Sequence, residues 1–169
     1  MGMDWCKDSF FLRFCTFAGM KEPLNLPPFQ PRLRKTPKGE EIFDECRRKF
    51  VKLTPEEWVR QHFIRFMVDE LAFPVNLIVV EAALQVHTLK RRFDILAYDS
   101  KGIPRMIVEC KSPSVPITQA VFDQVAAYNV ALKVEYLVVT NGLDHYACYI
   151  DHSLGQIKFL ENIPHFNQI

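Results

Sequence analysis

The chain has 169 residues, of which 49% are hydrophobic, and a formal net charge of +1. That length suits one domain with a proper core, and so large an apolar fraction excludes a disordered polymer. A charge this close to zero excludes a global field that would gather nucleic acid or membrane, so polyanion binding needs a local basic patch.

Five cysteines (Cys6, Cys15, Cys46, Cys110, Cys148) form no CxxC pair. An odd number with no secretory leader pattern suggests free thiols in a reducing, cytoplasmic setting, and no membrane partner is expected. His145 and Cys148 have half of a zinc-ligand spacing, but no second pair follows them.

In chain order, "FFLRFCTFAGM" is apolar but carries Arg13 and lacks a basic start and a small-residue cleavage site. It is also too short to span a bilayer. A polar, Pro-rich stretch follows Met20, which marks residues 1–19 as a candidate start-site artefact. "LPPFQPRLRKTPKGE" reads as extended and solvated, so residues 1–40 are expected to be an arm, 41–160 the domain and 161–169 a tail. "IFDECRRKFVKL" fits either a strand or a helix.

"LTPEEWVRQHFIRFMVDEL" predicts a helix. Thr54 is its N-cap, Pro55 takes the first helical position and Glu57 completes a capping box. Val59, Phe63, Phe66, Met67 and Leu71 then fall on one apolar face. After Pro74 the period shortens, and "LIVVEAALQV", "RRFDILAYD" and "RMIVECKSP" read as strands, the last two joined by a turn at Ser100–Ile103. A second helix over Thr118–Leu132 carries Val121, Val125 and Tyr128 at helical spacing. "EYLVVT", closed by Asn141-Gly142, and two short runs, "HYACYI" and "QIKFL", complete the strands.

Glu109 and Lys111 interrupt an apolar strand, and burying unpaired charges is costly. A hairpin centred on the Ser100–Ile103 turn sets Asp94 opposite Glu109, with Lys111 on the same face. The other face then holds Phe93, Ile95 and Ala97 against Met106, Val108 and Cys110. A bulge would shift the pairing, so only the common face of the charges is argued. Two carboxylates so close repel unless a cation lies between them. Mg²⁺ suits such a site because it takes one or two carboxylates and leaves its other positions to water and phosphate oxygens. A lysine beside it offsets charge on a phosphoryl transition state. Phosphodiester hydrolysis is the chemistry that uses all of these groups.

Asp94 followed by Glu109-Cys110-Lys111 resembles the D…(D/E)xK signature of the restriction-endonuclease-like nucleases. "EEWVRQ", "RRFDILAYD", "IVECKSP", "DQVAAY" and "YLVVTNG" together resemble the N-terminal nuclease domain of type I restriction enzyme R subunits. The resemblance implies an α/β (α+β) fold in one domain, with a mixed central sheet flanked by helices and the site on a strand hairpin. It implies a DNA nuclease using Mg²⁺ or Mn²⁺, with Asp94, Glu109 and the Cys110 carbonyl at the metal and Lys111 as the catalytic lysine. Glu57 resembles an acidic residue on the first helix that adds a metal-side contact. Gln124 and Tyr128 match a QxxxY element that braces the lysine or contacts the DNA backbone.

Plainer readings stand beside these. The capping box already accounts for Glu57, and a helix–sheet contact accounts for Gln124 and Tyr128. Arg92, with Lys90 and Arg91, is either a solvated turn or a phosphate contact. Arg60 lies one turn past Glu57, where it can position that carboxylate. The chain has no GxxxxGK[ST] phosphate-binding loop, so it is not expected to translocate DNA itself. A separate helicase or methyltransferase subunit is the expected partner, and cutting both strands with one site calls for a homodimer. The competing function is a nuclease-fold module that binds DNA, or serves a restriction or repair complex, without cutting.

Overall fold

The computed structural model describes residues 23–86 and 89–169, with side chains for all of these except 82–91, 127–128 and 130–131. Thr36-Pro37-Lys38-Gly39 is a tight turn: the Thr36 hydroxyl donates to the Gly39 carbonyl at 2.9 Å, and Gly39 takes φ +119°. It joins β1 (Leu33–Thr36) to β2 (Gly39–Asp44), which pairs in turn with β3 (Lys49–Lys52) in an antiparallel three-stranded sheet. The solvated arm expected up to residue 40 therefore gives way to strand at Leu33. Pro37 and Lys38 belong to the turn, and Lys35 is exposed on β1. The segment that fitted strand or helix is strand on both sides of a turn.

Helix α1 (Pro55–Asp69) starts where its cap requires, with the Thr54 hydroxyl accepting the Glu57 amide at 3.1 Å. Only half of the expected capping box forms, because arginines and a glutamine take the Glu57 carboxylate. Val59, Phe63 and Met67 are fully buried, as the helical spacing implied.

Six strands make the main sheet in simple chain order: β4 (Ile78–Val86), β5 (Leu89–Tyr98), β6 (Pro104–Cys110), β7 (Tyr136–Thr140), β8 (His145–Asp151) and β9 (Gln156–Leu160). All neighbours are antiparallel except β6 and β7, whose parallel pairing needs the crossover made by α2 (Gln119–Leu132). Val59, Phe63, Ile95, Val108 and Val138 form a core on the α1 side of the sheet, and Leu96, Ile107, Val121, Val125 and Leu137 form one on the α2 side. The result is the mixed α+β single domain that the sequence led us to expect.

Residues 161–169, expected as a tail, pack back on the end of α1. The Phe166 amide donates to Leu71 at 2.9 Å, and its ring meets Phe73 edge-on at 5.6 Å. Among the described residues, no helix is long and apolar enough to cross a membrane.

Candidate active site

Asp99 builds the turn between β5 and β6. Its carboxylate accepts the Lys101 and Ile103 amides at 2.8 and 2.9 Å, and Gly102 adopts φ +76°. The strands then pair Ala97 with Met106 and Ile95 with Val108, with a bulge between Ala97 and Tyr98. This is the register the sequence implied, and one step further along it lie Asp94 and Glu109.

The ladder stops at that step. The Cys110 amide donates to the Asp94 carboxylate at 2.8 Å, so a side chain takes over from a strand carbonyl. On the other side, β4 pairs Val80 with Ile95 and Ala82 with Phe93 but skips Glu81 and Asp94. Glu81 has φ +52°, a costly conformation for a residue with a side chain in a strand. This break corrects one expectation: Phe93 joins the α2-side core, whereas Ile95 and Ala97 join the α1-side core. Strict alternation fails where the left-handed residue twists the strand pair.

Glu109 is 7% exposed, and its carboxylate accepts the Lys111 ammonium at 2.8 Å. Burial and the negative charge of Asp94 push the Glu109 carboxyl upward, against the Lys111 hydrogen bond and charge. Burial alone would lower Lys111, but its bond to Glu109 and the charges of Glu109, Glu56 and Asp94 raise it, so it stays cationic at neutral pH. The chain beyond is pinned as well. The Lys111 amide donates to Thr140 at 2.8 Å, and the Asn141 side-chain amide to Val115 at 3.0 Å.

Helix α1 supplies the remaining polar groups. Arg60 donates to Asp94 at 2.7 Å and also pairs with Glu57 and, at 3.6 Å, with Glu81. Arg47, in the turn after β2, holds Asp44, Glu57 and Glu81 at 2.5, 3.0 and 2.5 Å. Gln61 closes the network with bonds to Asp44 at 2.9 Å and Glu57 at 2.8 Å. Glu57 is thus built into an ion-pair network and reaches Asp94 only through Arg60. Arg92 is exposed and pairs with Glu81. Gln124 is exposed on α2; the side chains of Tyr128, Lys90 and Arg91 lie outside the described residues.

Two carboxylates escaped the sequence reading. Glu56 is half-buried, and burial and the charge of Asp94 raise its pKa against Arg60 and Lys111. It shares a helix face with Arg60, four residues on, which was the available signal. Glu81 interrupts an apolar strand as Glu109 does.

Among the described residues, no three His, Cys, Asp or Glu side chains converge closely enough to hold a metal by themselves. The donor set nonetheless fits Mg²⁺. Asp94 and Glu109 offer hard oxygens, the charge of Asp94 raises Glu109, and the Arg60 guanidinium pairs with Asp94. The half zinc spacing looks different: both His145 ring nitrogens are engaged, with Thr140 at 2.7 Å and the Asn25 carbonyl at 2.8 Å.

Comparison with known proteins gives a family. Residues 55–164 match the model of the type I restriction enzyme R protein N terminus (HSDR_N). A fragment structure of a putative HsdR subunit of a type I restriction enzyme from Vibrio vulnificus YJ016 is 21% identical with a TM-score of 0.45. The similarity covers 60% of this chain and 22% of that one, so this chain spans about a fifth of that relative. No curated protein matches. With the match running from the first turn of α1 past the last strand, the chain belongs to the family of type I restriction enzyme R protein N termini.

Proposed function

We propose that this domain is a metal-dependent DNA nuclease, with Asp94 and Glu109 as metal ligands and Lys111 as the catalytic lysine. The observation that carries the reading is the end of the β5–β6 ladder, where the register pairing Ile95 with Val108 leads next to Asp94 and Glu109, and Lys111 bonds Glu109 at 2.8 Å. Mg²⁺ or Mn²⁺ bound there would supply a Lewis acid for the phosphoryl oxygen and a water of lowered pKa. Asp94 and Glu109 would hold it. Lys111, kept protonated by Glu109, stabilises charge on the phosphate oxygens and does not act as a base. Glu56, held close to Asp94 and Glu109, is the better candidate on the first helix for a further contact at the metal or its waters. Gln124, Tyr128 and Arg92 remain candidates for bracing or backbone contact.

Family membership supports action on DNA within a restriction system; a separate motor or methyltransferase subunit, and two copies for a double-strand cut, are part of the proposal. One observation favours the non-cleaving alternative: both Asp94 oxygens are already engaged, by Arg60 and by the Cys110 amide. Plasmid nicking in Mg²⁺ or Mn²⁺ tests the proposal. Asp94→Ala and Lys111→Ala should each lose about 100-fold or more in rate. Equal cleavage by wild type and both variants would sink the assignment. Absence of any Mg²⁺ or Mn²⁺ binding at millimolar concentration by calorimetry would favour the non-cleaving module.

A further inference from the structure

The 21 residues from Arg32 to Lys52 hold eight of the chain's 21 Lys and Arg side chains and four of its 20 acidic ones, a local net charge of +4 in a chain of +1. Folding leaves only part of this surplus free on the three-stranded sheet, since Arg47 is also taken by Glu57 and Glu81. Asp44 is fully buried and taken by Arg47 and Gln61, Glu41 is paired with Arg34, and Glu45 is paired with Arg65. Lys49 and Lys52, by contrast, are exposed and have no ion pair among the described residues.

The pairing of Glu41 with both Arg34 and Lys52 puts these three side chains on one face, and Phe43 and Phe50 share it. The rings meet edge-on at 5.2 Å, with Arg32 over Phe43 at 3.6 Å and Arg34 over Phe50 at 4.1 Å. The aromatic rings hold the guanidiniums in fixed places, so they are cations presented at low entropic cost.

A groove of about 470 Å³ runs between β3 and the start of α1, bounded by Lys49, Phe50 and Lys52 on one side and by Glu56, Arg60 and Glu81 on the other. One wall is therefore cationic, and the other belongs to the cluster around Asp94. Carboxylates gathered at a cleavage site repel a polyanion, so a nuclease needs fixed cations beside them.

We infer that the groove edge of the three-stranded sheet is the DNA-docking surface of this domain, where Lys49 and Lys52, on opposite faces of β3 but both lining the groove, contact backbone phosphates across from Glu56 and Arg60. This rests on the proposed action on DNA but not on cleavage. It places the local basic patch on β1–β3, away from the Lys90–Arg92 run that the sequence suggested.

Fluorescence anisotropy of a labelled duplex, with the full chain in EDTA across a salt series, tests it. Two lost phosphate contacts should lower the salt slope by about 1.8 and weaken binding about tenfold or more near 0.1 M salt. Lys49→Ala/Lys52→Ala should show that loss, and Lys158→Ala on β9, at the far edge of the main sheet, should not. Circular dichroism melts of the variants exclude unfolding as the cause. Equal affinity for wild type and the double variant, equal loss in the Lys158 control, or no binding by wild type would each overturn the inference. Plasmid nicking read in parallel separates it from the nuclease proposal. Wild type that binds through Lys49 and Lys52 without cutting leaves the docking surface standing and sinks cleavage. Wild type that cuts while the double variant binds and cuts unchanged does the reverse.

Discussion

Arg60 reaches Asp94 from helix α1 at 2.7 Å, while the Cys110 amide holds the other oxygen of the same carboxylate at 2.8 Å. A helix side chain and a strand amide thus fix one acidic group at the point where two strands part. Arg60 is 6% exposed, and its charge is balanced by Glu57 and Asp94. Arg60→Met should leave Asp94 without a cation and Glu57 with Arg47 alone, costing about 3–5 kcal/mol in urea unfolding. A loss below about 1 kcal/mol would mean that the network relaxes around the gap.

Glu56 and Glu57 are neighbours in sequence with opposite expected behaviour. Glu57→Gln breaks pairs to both Arg47 and Arg60 and should destabilise the fold by about 3 kcal/mol. Glu56→Gln removes a charge that repels Asp94 and Glu109, so stability should hold or rise. Mg²⁺ titration should then show weaker binding in Glu56→Gln. Unchanged Mg²⁺ affinity in that variant would remove Glu56 from the site.

Glu81 sets a pH dependence. Burial would raise its pKa, but the Arg92 hydrogen bond and the charges of Arg47, Arg92 and Arg60 outweigh burial and lower it. A lowered carboxyl pKa stabilises the fold fully above the ordinary value of 4.5, and the effect is lost as pH falls through the folded value. The stability gap between wild type and Glu81→Gln should therefore be widest near neutral pH and shrink on acidification below 4.5. Urea midpoints across pH check this, and a constant gap would show that Glu81 contributes by shape alone.

Gly142 sits at φ +85° in the turn after β7, and a methyl group there would lie 2.7 Å from Leu24 and 3.1 Å from Val59. Gly142→Ala should cost about 1–3 kcal/mol from backbone strain and displacement of Leu24. It should also loosen the Asn25 amide bond to the Gly142 carbonyl, now 2.7 Å. Faster proteolysis before residue 30, at an otherwise stable core, is the expected signature.

Asp94, Glu109 and Lys111 were legible in sequence because their placement is local. A turn, a two-residue alternation and two charges in an apolar run suffice. The same logic reached α1 and its cap. It did not reach the direction of the Glu57 carboxylate, because Arg47 arrives from a turn ten residues earlier and Glu81 from a strand beyond the helix. Proline and lysine in "LRKTPKGEE" hid β1 and β2, although Thr36-Pro37-Lys38-Gly39 is a good turn. Glu81 was passed over although it breaks an apolar strand as Glu109 does. Its left-handed backbone, which also moves Phe93 to the other core, has no signature in a residue that is not glycine.

The single parallel pairing, β6 with β7, has a consequence for the order of folding. Asp94 and Glu109 are brought together by a tight hairpin, which closes on a microsecond scale. The main chain of Lys111 is anchored when its amide finds Thr140, and that contact waits for α2 to cross the sheet. The acidic pair is thus expected to meet before its lysine is in place. Pulsed hydrogen exchange should protect amides of the β5–β6 hairpin ahead of the Lys111 amide, and protection in the reverse order would refute that sequence of events.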